Sequence, residues 1–351
     1  MFKKLNLFIV GVIILSLPIL MPLTNKGFFP TQDFIYVARV YEMVEAISDG
    51  QFPVRWVGDF RYGEPLFNYY APLSYCAGAL IKVLGFSYLE TVKILFGLGF
   101  ILSGITMFLL SRKFFGNTGG FLSAIFYIYA PYHSVDVYVR GALSESWALI
   151  FFPLIFLSSY NLSQSQTRKN FALFSLSLAA LFYTHNIMTV LSAPFILGWL
   201  IFWIWKTRSG VVAKSLFFSL ILGIGLAASF LLPAFFEKDL VQSNKLITGY
   251  FDYRAHFVTI SEMYLPSWGY GASLWGPVDD MSFQVGVVHL LALISCMAVM
   301  IFIMLRKKFR VNYQIMLFLI VAFGLSLFMQ HNRSQFIWNS SESSIERTRS
   351  L

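Results

Sequence analysis

Apolar residues run almost unbroken through 5–24, 91–111, 118–134, 146–160, 215–236, 284–305 and 312–329. Each run approaches the roughly 20 residues that a helix needs to cross a bilayer. The stretch 171–205 is too long for one crossing, because about 35 helical residues would span about 52 Å. Thr184-His185-Asn186 interrupts it near the middle and predicts a hairpin of two short spans. In PLFNYYAPLSYCAGALIKVLG (65–85), two prolines, Asn68 and Lys82 break the apolar pattern. That segment predicts a re-entrant or interface-lying helix rather than a full span.

Short basic clusters punctuate the runs: Lys3/Lys4, Arg112/Lys113, Arg168/Lys169, Lys206/Arg208/Lys214 and Arg306/Lys307/Lys308/Arg310. Such clusters gather on the cytoplasmic side. They do so here if 171–205 is a hairpin and 65–85 does not cross. The expected fold is an all-α polytopic membrane protein with about nine transmembrane helices, one re-entrant or interfacial helix and a cytoplasmic N-terminus. One domain is expected over 1–335, with three outer loops at 25–90, 132–146 and 237–283. The polar, serine-rich 336–351 reads as a disordered or truncated tail.

The first outer loop carries an unusual share of the charge. In 28–56, Phe34, Val37, Tyr41 and Val44 are spaced three, four and three apart, on one face of a helix, while Arg39, Glu42, Glu45 and Asp49 fall largely elsewhere. This predicts an amphipathic helix lying on the outer membrane surface. Asp33 stands at its start, where free N–H groups favour a carboxylate. Spacing alone leaves Asp33 either a helix cap or a functional acid.

Composition agrees with the pattern. Of 351 residues, 57% are hydrophobic and 12% charged, far from a soluble globular balance. The net charge of +9 does not indicate nucleic acid, because the basic residues flank apolar runs instead of forming one face. Lys3/Lys4 and the apolar run after them read as an uncleaved first span, since no small-x-small cleavage site follows. Localisation in a plasma (inner) membrane follows. Cys76 and Cys296 offer no disulfide framework or C-x-x-C pattern. The scattered His133, His185, His256, His289 and His331 lack zinc spacing, and no glycine-rich phosphate loop or G-x-S-x-G nucleophile motif occurs.

Three groups of residues could carry chemistry. PYHSVDVYVRGALSESW places Asp136, Arg140 and Glu145 between two spans, where ionisable groups are either functional or paired. The third outer loop mixes Tyr250, Trp268, Tyr270 and Trp275 with Asp252, Arg254, His256, Asp279 and Asp280. Aromatic faces beside carboxylates suit sugar rings, and an interfacial aromatic belt has the same composition. His185 is a lone polar site at the predicted hairpin turn.

A first span followed by an acid, a long outer loop with surface helices, and a second outer loop with an acid at the head of the next span resembles the GT-C superfamily. Those proteins are multi-spanning glycosyltransferases that use polyprenyl-phosphate sugars. More locally, DGQFPVRWVGDFRYGEPLFNYYAPLSY, VDVYVRGALSES and SWGYGASLWGPVDDMSFQVG resemble bacterial membrane proteins labelled 6-pyruvoyl-tetrahydropterin synthase-related. That label implies no pterin chemistry here, since a pterin synthase is a soluble zinc enzyme with clustered histidines.

The GT-C resemblance implies catalytic roles for Asp33, as general base or acceptor-activating acid, and for Glu145. In oligosaccharyltransferases the acid near the latter position helps hold a divalent metal. Neither place carries an adjacent acidic pair, so the cofactor stays open between none and a divalent metal, Mg or Mn, held at Asp33 and Glu145. The implied reaction is inverting transfer of a sugar from a polyprenyl-phosphate donor to an acceptor on the outer face. Its growing phosphate charge needs a cation, and Arg140, Arg39, Arg61 and Arg254 are the candidates, Arg140 foremost. Asp136, His185, Tyr250, Trp268 and Trp275 are the expected substrate contacts. The expected partners are the lipid bilayer, a polyprenyl-phosphate-linked sugar and an acceptor, with no nucleic acid. A transporter or flippase of lipid-linked sugars would line a pathway with the same charges. A non-catalytic membrane assembly protein is the third reading.

Overall fold

A computed structural model describes residues 2–27, 29–60, 62–242, 249–274, 279–305 and 313–339. The described chain is helical, with only two isolated bridges of extended backbone, Val57 with Glu64 and Tyr270 with Met281. The longer helices are α1 (Phe2–Leu20), α2 (Tyr36–Ser48), α3 (Leu66–Tyr69), α4 (Leu73–Val83), α5 (Tyr88–Ile128), α6 (Pro131–Val135), α7 (Leu143–Gln164), α8 (Arg168–Thr184), α9 (Asn186–Thr207), α10 (Gly210–Leu226), α11 (Ala228–Phe236), α12 (Ile260–Tyr264), α13 (Val287–Leu305) and α14 (Tyr313–Gln330).

Among the described residues, five stretches are long and apolar enough to cross a membrane: Leu5–Thr24, Tyr88–Ile128, Leu143–Gln164, Asn186–Thr207 and Tyr313–Gln330. Taking α10 and α11, bent by 67°, as one span makes six. The sequence pattern predicted about nine, and two features account for part of the difference. First, α5 is two limbs and not one rod. Gly116 breaks it with φ +70° and ψ −177°. A Cβ on Gly120 would touch Phe108 and Arg112, and one on Gly104 would touch Ile128. In a straight helix Gly104 and Ile128 would lie about 36 Å apart, so the chain doubles back at Gly116. Second, α8 has 17 residues, two of them serine, fewer than a straight crossing takes.

The predicted hairpin over 171–205 is present. Helix α8 ends at Thr184, α9 begins at Asn186, and His185 alone joins them in extended backbone, with φ −160° and ψ 119°.

Within the span expected as one domain, the chain forms two compact units, 1–129 with 136–241 and 130–135 with 242–351. The first unit has two apolar cores that share α7. One gathers Val12, Tyr36, Val40, Met43, Tyr75, Phe96, Phe100 and Phe108 against Leu143 and Trp147. The other packs Ala148 and Ile155 with Phe174, Leu181, Ile196, Leu200 and Leu216 of α8 to α10. Helix directions place residues near the predicted cytoplasmic clusters at one end of this unit. There Phe114 meets Tyr160 at 4.9 Å, Tyr160 meets Trp203 at 4.8 Å, and the Lys206 ammonium lies 5.2 Å from the Trp203 ring. At the other end, Trp147 Nε1 donates to the Leu95 carbonyl, and the Tyr183 hydroxyl lies beside Ser229.

Helix α2 differs from the sequence expectation. Its buried stripe is Tyr36, Val40 and Met43, whereas Phe34 just before it and Tyr41 are exposed. The helix is apolar on two sides: one stripe packs fully into protein, and of the other Val37 and Val44 are half-buried against the same core while Phe34 and Tyr41 stay exposed. Glu42, expected on a solvated face, is 4% exposed. Backbone hydrogen bonds from Asp59 and Gly58 hold its carboxylate, and burial raises its pKa.

Candidate functional site

The polar end of the first unit is assembled around one unusual turn. Asp136–Arg140 forms a five-residue π-helical turn. It stops at Gly141, whose φ of +66° residues with a side chain rarely adopt. A Cβ at Gly141 would lie 2.4 Å from Thr31 Oγ1 and 2.5 Å from the Asp33 carbonyl oxygen. A helix that stops leaves its last carbonyls without intrahelical donors. The first polar segment supplies two: Gln32 N–H donates to the Val139 carbonyl at 3.0 Å, and Asp33 N–H to the Arg140 carbonyl at 2.8 Å. Two segments a hundred residues apart in sequence are thereby joined backbone to backbone, with Asp33 beside Arg140.

Arg140 Nη1 contacts two carboxylates, Glu145 Oε2 at 2.7 Å and Asp136 Oδ1 at 3.1 Å. The Asp136 side chain is fully buried and that of Glu145 7% exposed, while Arg140 keeps 30%. Asp136 Oδ2 is buried without a partner. Two anions on one cation in so dry a place leave an uncompensated negative charge. Burial first, then the Glu145 charge, raises the Asp136 carboxyl well above the usual range, against the pull of Arg140. Burial thus biases Asp136 toward its protonated form.

Asp33 is built the opposite way. Its Oδ2 accepts from Arg39 Nη1 at 2.8 Å, and its Oδ1 from the Ile35 N–H at 3.2 Å, which opens α2. Asp33 therefore closes the turn that leads into α2, whose N-cap position is Ile35, and is also an ion-pair partner. The Arg39 guanidinium lies 4.0 Å from the Tyr70 ring centroid and 3.5 Å from the Tyr75 hydroxyl. The Tyr75 ring lies 5.8 Å from that of Tyr70, and on the same helix α4 Ser74 Oγ is hydrogen-bonded to Ser144 Oγ at 2.9 Å. Ser144 precedes Glu145. Helix α4 thus contacts both Arg39 and the head of α7.

The same end takes in the α8–α9 junction and the end of α11. His185 Nδ1 accepts the Met188 N–H at 3.2 Å, which requires the neutral ring with its proton on Nε2. Burial lowers the His185 pKa, and the charges of Glu145 and Arg140 act on it with opposite signs. Asn186 Nδ2 donates to the Tyr69 carbonyl at 2.8 Å, the Tyr69 hydroxyl to the Glu237 carbonyl at 2.6 Å, and Asn68 Nδ2 to Glu237 Oε2 at 2.9 Å. Buried polar atoms almost always find partners. Here Arg39 Nε, Asn68 Oδ1 and Asp136 Oδ2 have none.

The structure therefore groups Asp33, Arg39, Asp136, Arg140, Glu145 and His185 among the predicted residues. It adds Asn68, Tyr69, Tyr70, Tyr75, Ser144 and Glu237, for which the sequence held only the weak signal of polar groups interrupting 65–85. Arg61 and Trp275 lie outside the described residues. Tyr250, Trp268 and Arg254 belong to the second unit. There Arg254 pairs with Asp252, Trp268 meets Tyr270 edge-on at 6.1 Å, and Tyr250 lies against His256 at 5.1 Å. A divalent metal on Asp33 and Glu145 does not fit this arrangement, because a guanidinium already holds each carboxylate. No group of three metal-ligating side chains occurs among the described residues.

Residues 67–258 match the family described as 6-pyruvoyl-tetrahydropterin synthase related domain; membrane protein. This is more than half of the chain. The chain belongs to that family. The matched region of this PTPS-related protein contains Asp136, Arg140, Glu145, His185 and the Tyr70–Tyr75 network, and begins after Asp33 and Arg39. An uncharacterized protein of Lactococcus lactis subsp. cremoris (strain MG1363) is 28% identical over 248 residues, which are 66% of this chain and 40% of that protein. The chain thus spans less than half the length of that relative.

Proposed function

We propose that this PTPS-related membrane protein is a GT-C-like glycosyltransferase that moves a sugar from a polyprenyl-phosphate donor to an acceptor on the outer face of the plasma membrane. The observation that carries the reading is the opposed exposure of two joined ion-pair clusters. One presents its acid, Asp33, at 29% exposure over an arginine at 13%, and the other presents its arginine, Arg140, at 30% over two buried acids. An accessible carboxylate beside an accessible guanidinium is what this transfer needs. About nine spans and a cytoplasmic N-terminus complete the proposal, in keeping with basic clusters at the end opposite the site.

In the proposed reaction, Asp33 accepts the proton of the acceptor hydroxyl as its oxygen attacks the anomeric carbon from the face opposite the phosphate. The new carbon–oxygen bond forms as the bond to the phosphate oxygen breaks, which inverts the centre. The electron pair leaves on the phosphate, and Arg140 receives that charge. Glu145 and Asp136 hold the guanidinium in place. His185, fixed as an Nε2–H donor, offers a hydrogen bond without a charge.

The reading is tested by mass spectrometry of lipids that co-purify with the full chain. A sugar-bearing polyprenyl monophosphate is expected with the wild type, and at least about tenfold less of it with Arg140→Gln. Equal retention by both chains would remove Arg140 from the donor site, and the absence of any phosphorylated polyprenol would count against the reading as a whole.

A further inference from the structure

The stretch 68–75 reaches Arg39 through Tyr70 and Tyr75, and the α9 and α11 termini through Asn68 and Tyr69. The Asn68–Tyr69 half ends in a feature that no step of the transfer explains. Asn68 lies on α3 and is 7% exposed. Its amide donates to Glu237 Oε2 at 2.9 Å, which fixes the orientation of the group and turns Oδ1 elsewhere. That Oδ1 is buried and has no donor. Around it, Tyr69 is tied through its hydroxyl to the Glu237 backbone and through its carbonyl to Asn186. Three elements distant in sequence, α3, the start of α9 and the end of α11, therefore hold an acceptor that the protein leaves unfilled. Leaving such an atom unpaired is costly, whereas a bound hydroxyl removes the cost.

The surrounding chemistry selects the ligand class. Glu237 adds a carboxylate, so the cluster accepts hydrogen bonds and repels a phosphate. Asn186 adds an exposed amide that can both donate and accept. Adjacent hydroxyls on a pyranose ring can donate to Asn68 Oδ1 and to the Glu237 carboxylate together. Tyr69 and Tyr70 supply ring faces of the kind on which sugars pack.

We propose that Asn68, Glu237 and Asn186 form a hydroxyl-recognition subsite for a neutral pyranose. The subsite deepens the glycosyltransferase reading and rests on it only for the ligand's role. It divides the polar end into an arginine side for phosphate and an amide–carboxylate side for sugar. The pyranose could be the donor's own sugar or a saccharide acceptor, and the experiment separates the two.

The test uses the full chain in lipid nanodiscs and saturation-transfer NMR with two probes, methyl glycosides of glucose, galactose and mannose, and polyprenyl-phosphate glucose. Asn68→Ala should weaken binding by about tenfold, the effect of one lost hydrogen bond to a buried group. Glu237→Ala should act in the same direction. It leaves the Tyr69 hydrogen bond intact, because that bond goes to the Glu237 backbone, so it carries the test if Asn68→Ala fails to fold. Loss confined to the free glycosides assigns the subsite to an acceptor saccharide, and loss confined to the lipid-linked probe assigns it to the donor sugar. Wild-type binding by both variants, or no saturation of either probe by the wild type, overturns the proposal. Transfer is assayed in the same preparation: binding that depends on Asn68 without any transfer leaves the subsite standing and discards the transferase.

Discussion

The first and second polar segments each bring an arginine against carboxylates, and they do so inside out relative to one another. In the first, Arg39 is the covered partner, pressed on Tyr70 and Tyr75, and Asp33 faces outward. In the second, Asp136 and Glu145 are covered and Arg140 faces outward. Both are ion pairs at ordinary distances, and by pairing alone they would be equivalent. Burial distinguishes them. A covered charge with a fixed partner stabilises or positions its neighbour, whereas the half-open partner is the one exposed to solvent. The Gly141 junction joins the two segments backbone to backbone next to Asp33 and Arg140.

Breaking that junction should have the largest effect. Gly141→Ala puts a methyl group into Thr31 Oγ1 and the Asp33 carbonyl and forces φ +66° on a residue with a side chain. Strain and collision together should cost about 3 kcal/mol. Thermal unfolding in nanodiscs checks this, and a wild-type melting temperature would mean that the two segments are not locked together there.

The second prediction separates the clusters by pH. The folded-state pKa of Asp136 is raised, so folding favours its neutral form. Its contribution to stability is intact below the unfolded carboxyl pKa of about 4 and declines as pH rises toward the folded value. Asp136→Asn mimics the neutral acid and should flatten that decline, so that the variant's stability falls less than the wild type's as pH rises. Melting curves across this range report the difference. A variant that loses stability throughout would show that Asp136 is ionised in the fold.

The smallest effect belongs to the covered side of the first cluster. Tyr70→Leu removes the ring under Arg39 but keeps apolar bulk, and should cost about 1 kcal/mol. Asp33 should remain functional, because its hydrogen bond from Ile35 is untouched. Transfer activity falling in parallel with Arg39→Ala would instead make the stack part of the chemistry.

What the sequence made legible follows from range. Apolar runs, the His185 hairpin and the chain's change of direction between 112 and 118 are local patterns, and each is present. Asp33, Arg140 and Glu145 could be singled out because charges are rare in this chain. The inward face of α2 was not legible, since Phe34, Val37, Tyr41 and Val44 make as good a stripe as Tyr36, Val40 and Met43. Nor was the burial of Glu42, which depends on the Gly58 and Asp59 backbone folding over it. The pairing of Gln32 and Asp33 with Val139 and Arg140 uses main-chain atoms alone and leaves no trace in residue type. Asn68, Tyr75 and Glu237 are ordinary polar residues until distant elements bring them together.

The central claim is that Asp33 is the base of a sugar transfer for which Arg140 holds the phosphate. Its most direct test is single-turnover transfer from a radiolabelled polyprenyl-phosphate sugar, with wild type and Asp33→Asn reconstituted in vesicles at saturating donor. The account predicts that both chains bind donor, that the wild type forms product, and that Asp33→Asn is slower by at least about a hundredfold. Product formation by Asp33→Asn at the wild-type rate would contradict it.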